Sequence, residues 1–184
     1  MKSVRSYCFS KLFYNCKNIS DCGSLTLPAT ALTSNCYSYM FSGCTNLTSA
    51  PALPAKALAD SCYSGMFNGC TSLSQAPTLP ATTLTSNCYG YMFYGCTSLS
   101  QAPEIKTYTP NLNAYVEMLA GSLGKLTTCI WNDLTLSEVE NMVLNDYIFG
   151  YGEPESSVRI NITCKDGSGI AYFSSEKWSW VFEY

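Results

Sequence analysis

The sequence predicts an α/β repeat: a curved stack of 26-residue coils, each one short helix plus one short strand, with a small α+β cap at its C-terminal end. Two observations carry this. A 26-residue phrase beginning CYSYMFSGCTNL at Cys36 returns at Cys62, begins again at Cys88 and runs out at Pro103. From Cys129 the phrase is gone and the composition turns acidic, with nine acids against three bases up to Tyr184. Self-similarity at such a period marks a repeat architecture before any local reading is attempted. The expected division is therefore residues 1–128, about five coils with the first truncated and the last degenerate, and residues 129–184 as the capping region.

The helix of each coil is expected from CYGYMFYGC and its lead-in. Wound at about 100° per residue, Leu84, Cys88 and Met92 share one stripe. Tyr91 flanks it on one side, Tyr89 and Phe93 on the other. The remaining arc holds Ser86, Asn87, Gly90 and Tyr94, and in earlier coils Ser34, Asn35, Ser38 and Ser42, then Asp60, Ser61, Ser64 and Asn68. Such a segment buries one broad face. Gly43, Gly69 and Gly95 follow where a left-handed C-cap wants glycine. After each comes a Cys and a Leu (Cys44/Leu47, Cys70/Leu73, Cys96/Leu99) and then a proline-ended piece that excludes helix and reads as a short strand. Helix opposite strand at this period is the leucine-rich-repeat plan. Helices need about 8–10 Å each and strands about 4.8 Å, so such a solenoid curves with its strands inside the bend.

The run M-F-x-G-C-T-x-L followed by a proline-ended turn resembles the BspA-like leucine-rich repeats of bacterial surface proteins. It is carried by Met40-Phe41/Cys44/Leu47, Met66-Phe67/Cys70/Leu73 and Met92-Phe93/Cys96/Leu99. The coil is slightly long for that family, and Cys36, Cys62 and Cys88 stand where it usually has an aliphatic residue. The resemblance implies an extracellular or surface-attached recognition role, sometimes adhesive, and names no ligand.

Taken in order, the chain opens in the middle of a repeat. Val4 to Cys16 aligns with Leu32 to Cys44, and no polar cap precedes it. Further coils and an export signal are expected upstream, although a degenerate first coil could cap itself. Residues 17–28 carry a two-residue insertion that includes Cys22. From Asn18 to Pro103 only Asp21, Lys56 and Asp60 are charged, which leaves a neutral hydrogen-bonding surface and argues against nucleic acid. No apolar run is long enough to span a bilayer. Ala114 to Ser122 keeps the spacing of a fifth coil without its cysteines. Beyond it, Thr135 and Glu138 form a capping box ahead of a helix carrying Val139, Met142 and Val143. Val158, Ile160 and Ile162 alternate as a strand, Asp166-Gly167 offers a turn, Ile170 and Tyr172 resume, and Trp178, Trp180, Phe182 and Tyr184 share one face of a last strand.

Chemistry finds little to stand on. The chain has no histidine, which removes histidine-dependent nucleophilic and metal sites. The acid pairs Glu138/Glu140 and Glu153/Glu155 read as a helix start and a loop run. Eleven cysteines invite a disulfide framework. Yet the two in one coil would lie about 12 Å apart on a helix, beyond a bridge. Buried, reduced cysteine ladders are expected instead, without metal, since no C-x-x-C occurs. Tyr37, Tyr63 and Tyr89 should pack between coils, and Tyr94 alone of the repeat aromatics should face outward.

The expected role is recognition or adhesion without catalysis, metal or cofactor. The partner would be a protein or glycan outside the cell, met by repeated polar side chains: Ser49, Gln75 and Gln101 at equivalent positions, with Tyr94. A structural spacer presenting another domain is the alternative, favoured where outward positions such as Thr48, Ser74 and Ser100 barely vary. An enzyme in the acidic C-terminal region comes third.

Overall fold

A computed structural model describes residues 5–27, 29–151, 158–174, 177 and 179–184. The expectations placed on Val4, Glu153, Glu155 and Trp178 lie outside these residues.

Among the described residues, regular secondary structure is confined to the C-terminal region. It comprises β1 (Thr128–Trp131), α1 (Leu136–Leu144), β2 (Arg159–Cys164), β3 (Gly167–Ser174) and β4 (Ser179–Glu183). The strands form one mixed sheet in the order β1-β2-β3-β4. β1 pairs parallel with β2 and reaches it through α1, as a parallel pair requires a crossover. β2–β3–β4 is an antiparallel meander. Thr135 caps α1, its hydroxyl accepting from the Glu138 N–H while the Glu138 carboxylate accepts from the Thr135 N–H. Val139, Met142 and Val143 are buried, and α1 packs on β3 and β4. The β2–β3 turn is Lys165-Asp166, one residue earlier than expected, because Cys164 pairs with Gly167.

The helix-and-strand solenoid expected of the repeats is not present. Among the described residues before Thr128 there is no helix, and extended pairing is limited to isolated parallel bridges such as Ala31–Ala57, Ala57–Thr83 and Leu79–Ile105. With no helix to be wider than a strand, the difference in width that would bend the stack is absent. The physical reason lies in the backbone. Every fourth residue of the phrase is left-handed: Asn35, Tyr39 and Gly43, then Ser61, Gly65 and Gly69, then Asn87, Tyr91 and Gly95. A residue at positive φ reverses the chain, so an i→i−4 ladder cannot propagate through it.

What forms instead is a ribbon of successive turns. Even-numbered amides bond three residues back (Cys36 to Thr33, Ser38 to Asn35, Met40 to Tyr37). Odd-numbered amides bond to the next repeat: Tyr37 to Cys62 at 2.9 Å, Tyr39 to Ser64 at 2.8 Å and Phe41 to Met66 at 2.9 Å. The same alternation recurs one repeat later, with Tyr63 to Cys88, Gly65 to Gly90 and Phe67 to Met92. No amide of this stretch is left without an acceptor, which answers the accounting that any buried backbone must satisfy.

Repeats in this register bring equivalent side chains into contact. Phe9, Tyr37, Tyr63, Tyr89 and Tyr115 stack in one column, and Phe13, Phe41, Phe67 and Phe93 in another, with centroids 5.3 to 5.9 Å apart. Each such contact adds about 0.5–1.5 kcal/mol beyond the area it buries. All eleven cysteines are free; Cys8 and Cys16 are exposed and the other nine buried. The Cys44, Cys70 and Cys96 thiols donate at 3.1 Å to Phe13, Phe41 and Phe67 carbonyls. Ser122 holds the same place in the degenerate fifth repeat, its hydroxyl donating to the Phe93 carbonyl.

The column joins the C-terminal sheet without a gap. Leu119 donates to the Ile148 carbonyl at 2.8 Å, extending the ribbon by one more line, and the Trp131 indole donates to the Pro103 carbonyl at 3.0 Å.

Candidate functional site

Two rows of side chains face outward, one on the proline-ended segments and one on the turn ribbon. The first contains the expected contact residues. Asp21 pairs with Ser49, and Gln75 with Gln101, in parallel bridges, and all four side chains are exposed. Asp21 is steadied by accepting from the Gly23 N–H at 2.8 Å. Beside the row lies a shallow concavity of about 360 Å³, walled by Gly23, Ala50, Ala52, Pro54, Pro77 and Pro80. Prolines bring no amide donor to that surface, which is mostly apolar. The neighbouring hydroxyls of Thr48 and Ser100 are committed to the backbone, donating to Ser20 and Ser74 carbonyls. Their near-invariance between repeats thus follows from stacking.

The second row was not legible as a surface. Lys11, Tyr39, Gly65, Tyr91 and Glu117 occupy one position of the phrase, and Tyr147 continues it on the line that bonds to Leu119. All six are left-handed, with φ between +47° and +60°. The conformation turns their side chains away from the buried Cys-Tyr and Met-Phe pairs. Tyr39, Tyr91, Glu117 and Tyr147 are accordingly partly exposed. Tyr94 is exposed, as expected, and its ring lies 6.4 Å from that of Tyr91. Tyr147 and Tyr151 stack at 4.1 Å. The structure thus joins Tyr94 to this second row and leaves Ser49, Gln75 and Gln101 on the first.

The helical wheel misplaced this row because a period of four imitates a helix over nine residues, differing by only about 10° per residue. It likewise placed Ser38, Ser42 and Ser64 on a solvated arc, whereas all three are buried. The signal that could have found the row is its variability: the position reads Tyr39, Gly65, Tyr91 and Glu117, three residue types in four repeats, while core letters such as Met40, Met66, Met92 and Met118 repeat.

The buried thiols are held protonated. Burial pushes the thiols up, Cys88 to about 11 and Cys96 to about 12, and a thiol donating to a carbonyl must keep its proton. Glu138 is spent on the helix cap, and Glu140 accepts from the Tyr184 hydroxyl. Asp146 is buried beneath the second row, with its carboxyl pushed up to about 6 by burial and drawn back by the Tyr115 amide and the Tyr108 hydroxyl. No group of three or more metal-ligating side chains converges among the described residues. No helix there is long and apolar enough to cross a membrane.

No family model, curated protein or solved structure matches the chain.

Proposed function

We propose that this chain is a non-enzymatic recognition module acting outside the cell or at its surface, where it binds a protein or a glycan through side chains repeated along its length. The observation that carries the reading is the pairing of exposed polar residues at equivalent positions, Asp21 with Ser49 and Gln75 with Gln101, on segments that also wall an apolar concavity at Ala50, Ala52 and Pro77. Hydrogen-bonding groups at a fixed spacing beside an apolar floor suit an extended partner whose own groups recur. Each contact is weak and their sum along the row supplies the affinity, as in other multivalent sites. The extracellular setting rests on the resemblance to BspA-like surface proteins.

The spacer reading is weakened by one comparison. The positions that scarcely vary, Thr48 and Ser100, are those whose hydroxyls hold repeats together, whereas the second row changes between Tyr39, Gly65, Tyr91 and Glu117. The test is a series of Ser49→Ala, Gln75→Ala and Gln101→Ala, singly and combined, screened on a panel of matrix proteins and glycans. Stepwise loss of binding with each substitution is expected. A triple variant that binds as the parent does would remove the row from recognition, and a panel without a ligand would favour the spacer.

A further inference from the structure

On the turn ribbon, independently of the polar row, Glu117 stands between two tyrosine pairs. Tyr91 precedes it by one repeat and donates to the Val116 carbonyl at 2.8 Å, with Tyr94 beside it. Tyr147 and Tyr151 follow on the next line, set against this repeat because Gly150 has no side chain: a Cβ there would lie 3.0 Å from that of Ala120. Among the described residues the Glu117 carboxylate has no hydrogen-bond or ion-pair partner. It is partly withdrawn from water, which pushes its carboxyl up. Burial, followed by the charge of Glu117, also raises the hydroxyls of Tyr91 and Tyr151, so both lie within its field.

We propose that this site takes an arginine side chain of a protein partner, the guanidinium stacking on the tyrosine rings and pairing with the Glu117 carboxylate. A carboxylate held at partial desolvation is stabilised by a cation, and the ring faces beside it attract the same charge. A planar, weakly hydrated guanidinium meets both demands at once, stacking on rings and bonding the two carboxylate oxygens side by side; an ammonium does only part of this. The surroundings agree in sign, since the chain carries a net charge of −3 and the row's own cation, Lys11, lies at its far end over the Tyr14 ring.

The experiment is a calorimetric titration of the full chain, at low salt, with a capped peptide carrying three arginines and with the same peptide carrying citrulline. The arginine peptide should bind, and Glu117→Gln and Tyr91→Leu should each weaken it about tenfold, the loss of one charge-assisted pair or one cation–π contact. Tyr91→Phe, which keeps the ring, and Gln101→Ala, on the other row, should bind as the parent does. Thermal unfolding of each variant separates lost binding from lost fold. The proposal is overturned if the arginine peptide does not bind, if Glu117→Gln binds it equally well, or if citrulline serves as well as arginine. None of those outcomes bears on the polar row, which the Ser49, Gln75 and Gln101 series tests separately.

Discussion

The ring of Tyr39 lies over Gly65, so closely that a Cβ on residue 65 would come within 2.3 Å of its Cε1. Gly65 also sits at φ +60°, where a side chain is strained whatever space surrounds it. Gly65→Ala therefore meets two penalties, and should lower stability by about 2–3 kcal/mol while displacing the Tyr39 ring. Gly69, at φ +71°, has nothing closer than 3.9 Å to a new Cβ. Gly69→Ala should cost only the conformational share, about 1 kcal/mol. Urea unfolding of the two variants checks the difference, and equal losses would mean the ring is not where the structure has it.

The thiols of the first repeat differ from the later ones in their reach to solvent. Cys8 and Cys16 are exposed, while the other nine are buried, several donating to carbonyls. A thiol reagent applied to the folded chain without reductant should modify two cysteines promptly. The remaining nine should react only in denaturant. Mass spectrometry showing five disulfide bridges would contradict the stacked arrangement.

Phe67 is fully buried between Phe41 and Phe93, and Phe67→Ala should cost about 3–5 kcal/mol. Tyr63 offers the opposite sign. Its ring is fully buried between Tyr37 and Tyr89, and its buried hydroxyl has no hydrogen-bond partner among the described residues. Tyr63→Phe keeps the stack and removes an unsatisfied polar atom, so stability should hold or rise by about 1 kcal/mol. Denaturant midpoints of the two variants should therefore move apart, and a large loss in Tyr63→Phe would show that the hydroxyl is bonded.

Asp146 makes stability depend on pH. Its carboxyl is raised from an ordinary 3.8 to about 6, chiefly by burial. Between those values the folded chain holds a proton that the unfolded chain has released. The penalty for a buried charge is thus absent below about pH 4 and fully present once pH rises through about 6. Relative to Asp146→Asn, the parent should lose about 1–3 kcal/mol across that interval. Thermal melts of both proteins at pH 4 and pH 7 give the comparison, and parallel curves would show that Asp146 keeps its charge at no cost.

Much of the core was legible because burial depends on residue type and register, and both are written in the repeated letters. Cys62, Tyr63, Met66, Phe67, Cys70 and Leu73 are all fully buried, as their recurrence required. The Thr135–Glu138 capping box was equally plain, since it depends on side chains four positions long and on nothing distant. The backbone that carries the core was not. Tyr39, Tyr91 and Glu117 adopt a left-handed conformation that their types disfavour; the amides of Tyr39 and Tyr91 are held there by bonds to Ser64 and Val116 in the next repeat. A local reading assigns such residues to helix or strand, because the bonds that overrule it lie 25 residues away. The aromatic and acidic row went unseen for the same reason: it depends on that conformation. The exposed Ser49, Gln75 and Gln101 were findable because period alone aligns them.

The alternation of the ribbon has an electrical consequence. The peptide joining Cys36 to Tyr37 accepts from Phe9 through its carbonyl and donates to Cys62 through its amide; the peptide joining Cys62 to Tyr63 accepts from Tyr37 and donates to Cys88. These units lie head to tail along the stacking direction, as peptide units do along a helix axis, so their moments add. The direction is set by the chain: amides point toward later repeats and carbonyls toward earlier ones. The face nearest the N-terminus is therefore the negative pole. There the carbonyls of Cys8, Ser10, Leu12 and Tyr14 receive no amide from the described residues. Whatever chain segment pairs with those carbonyls has to bring amide donors, and so continues the stack in the same polarity as the repeats that follow.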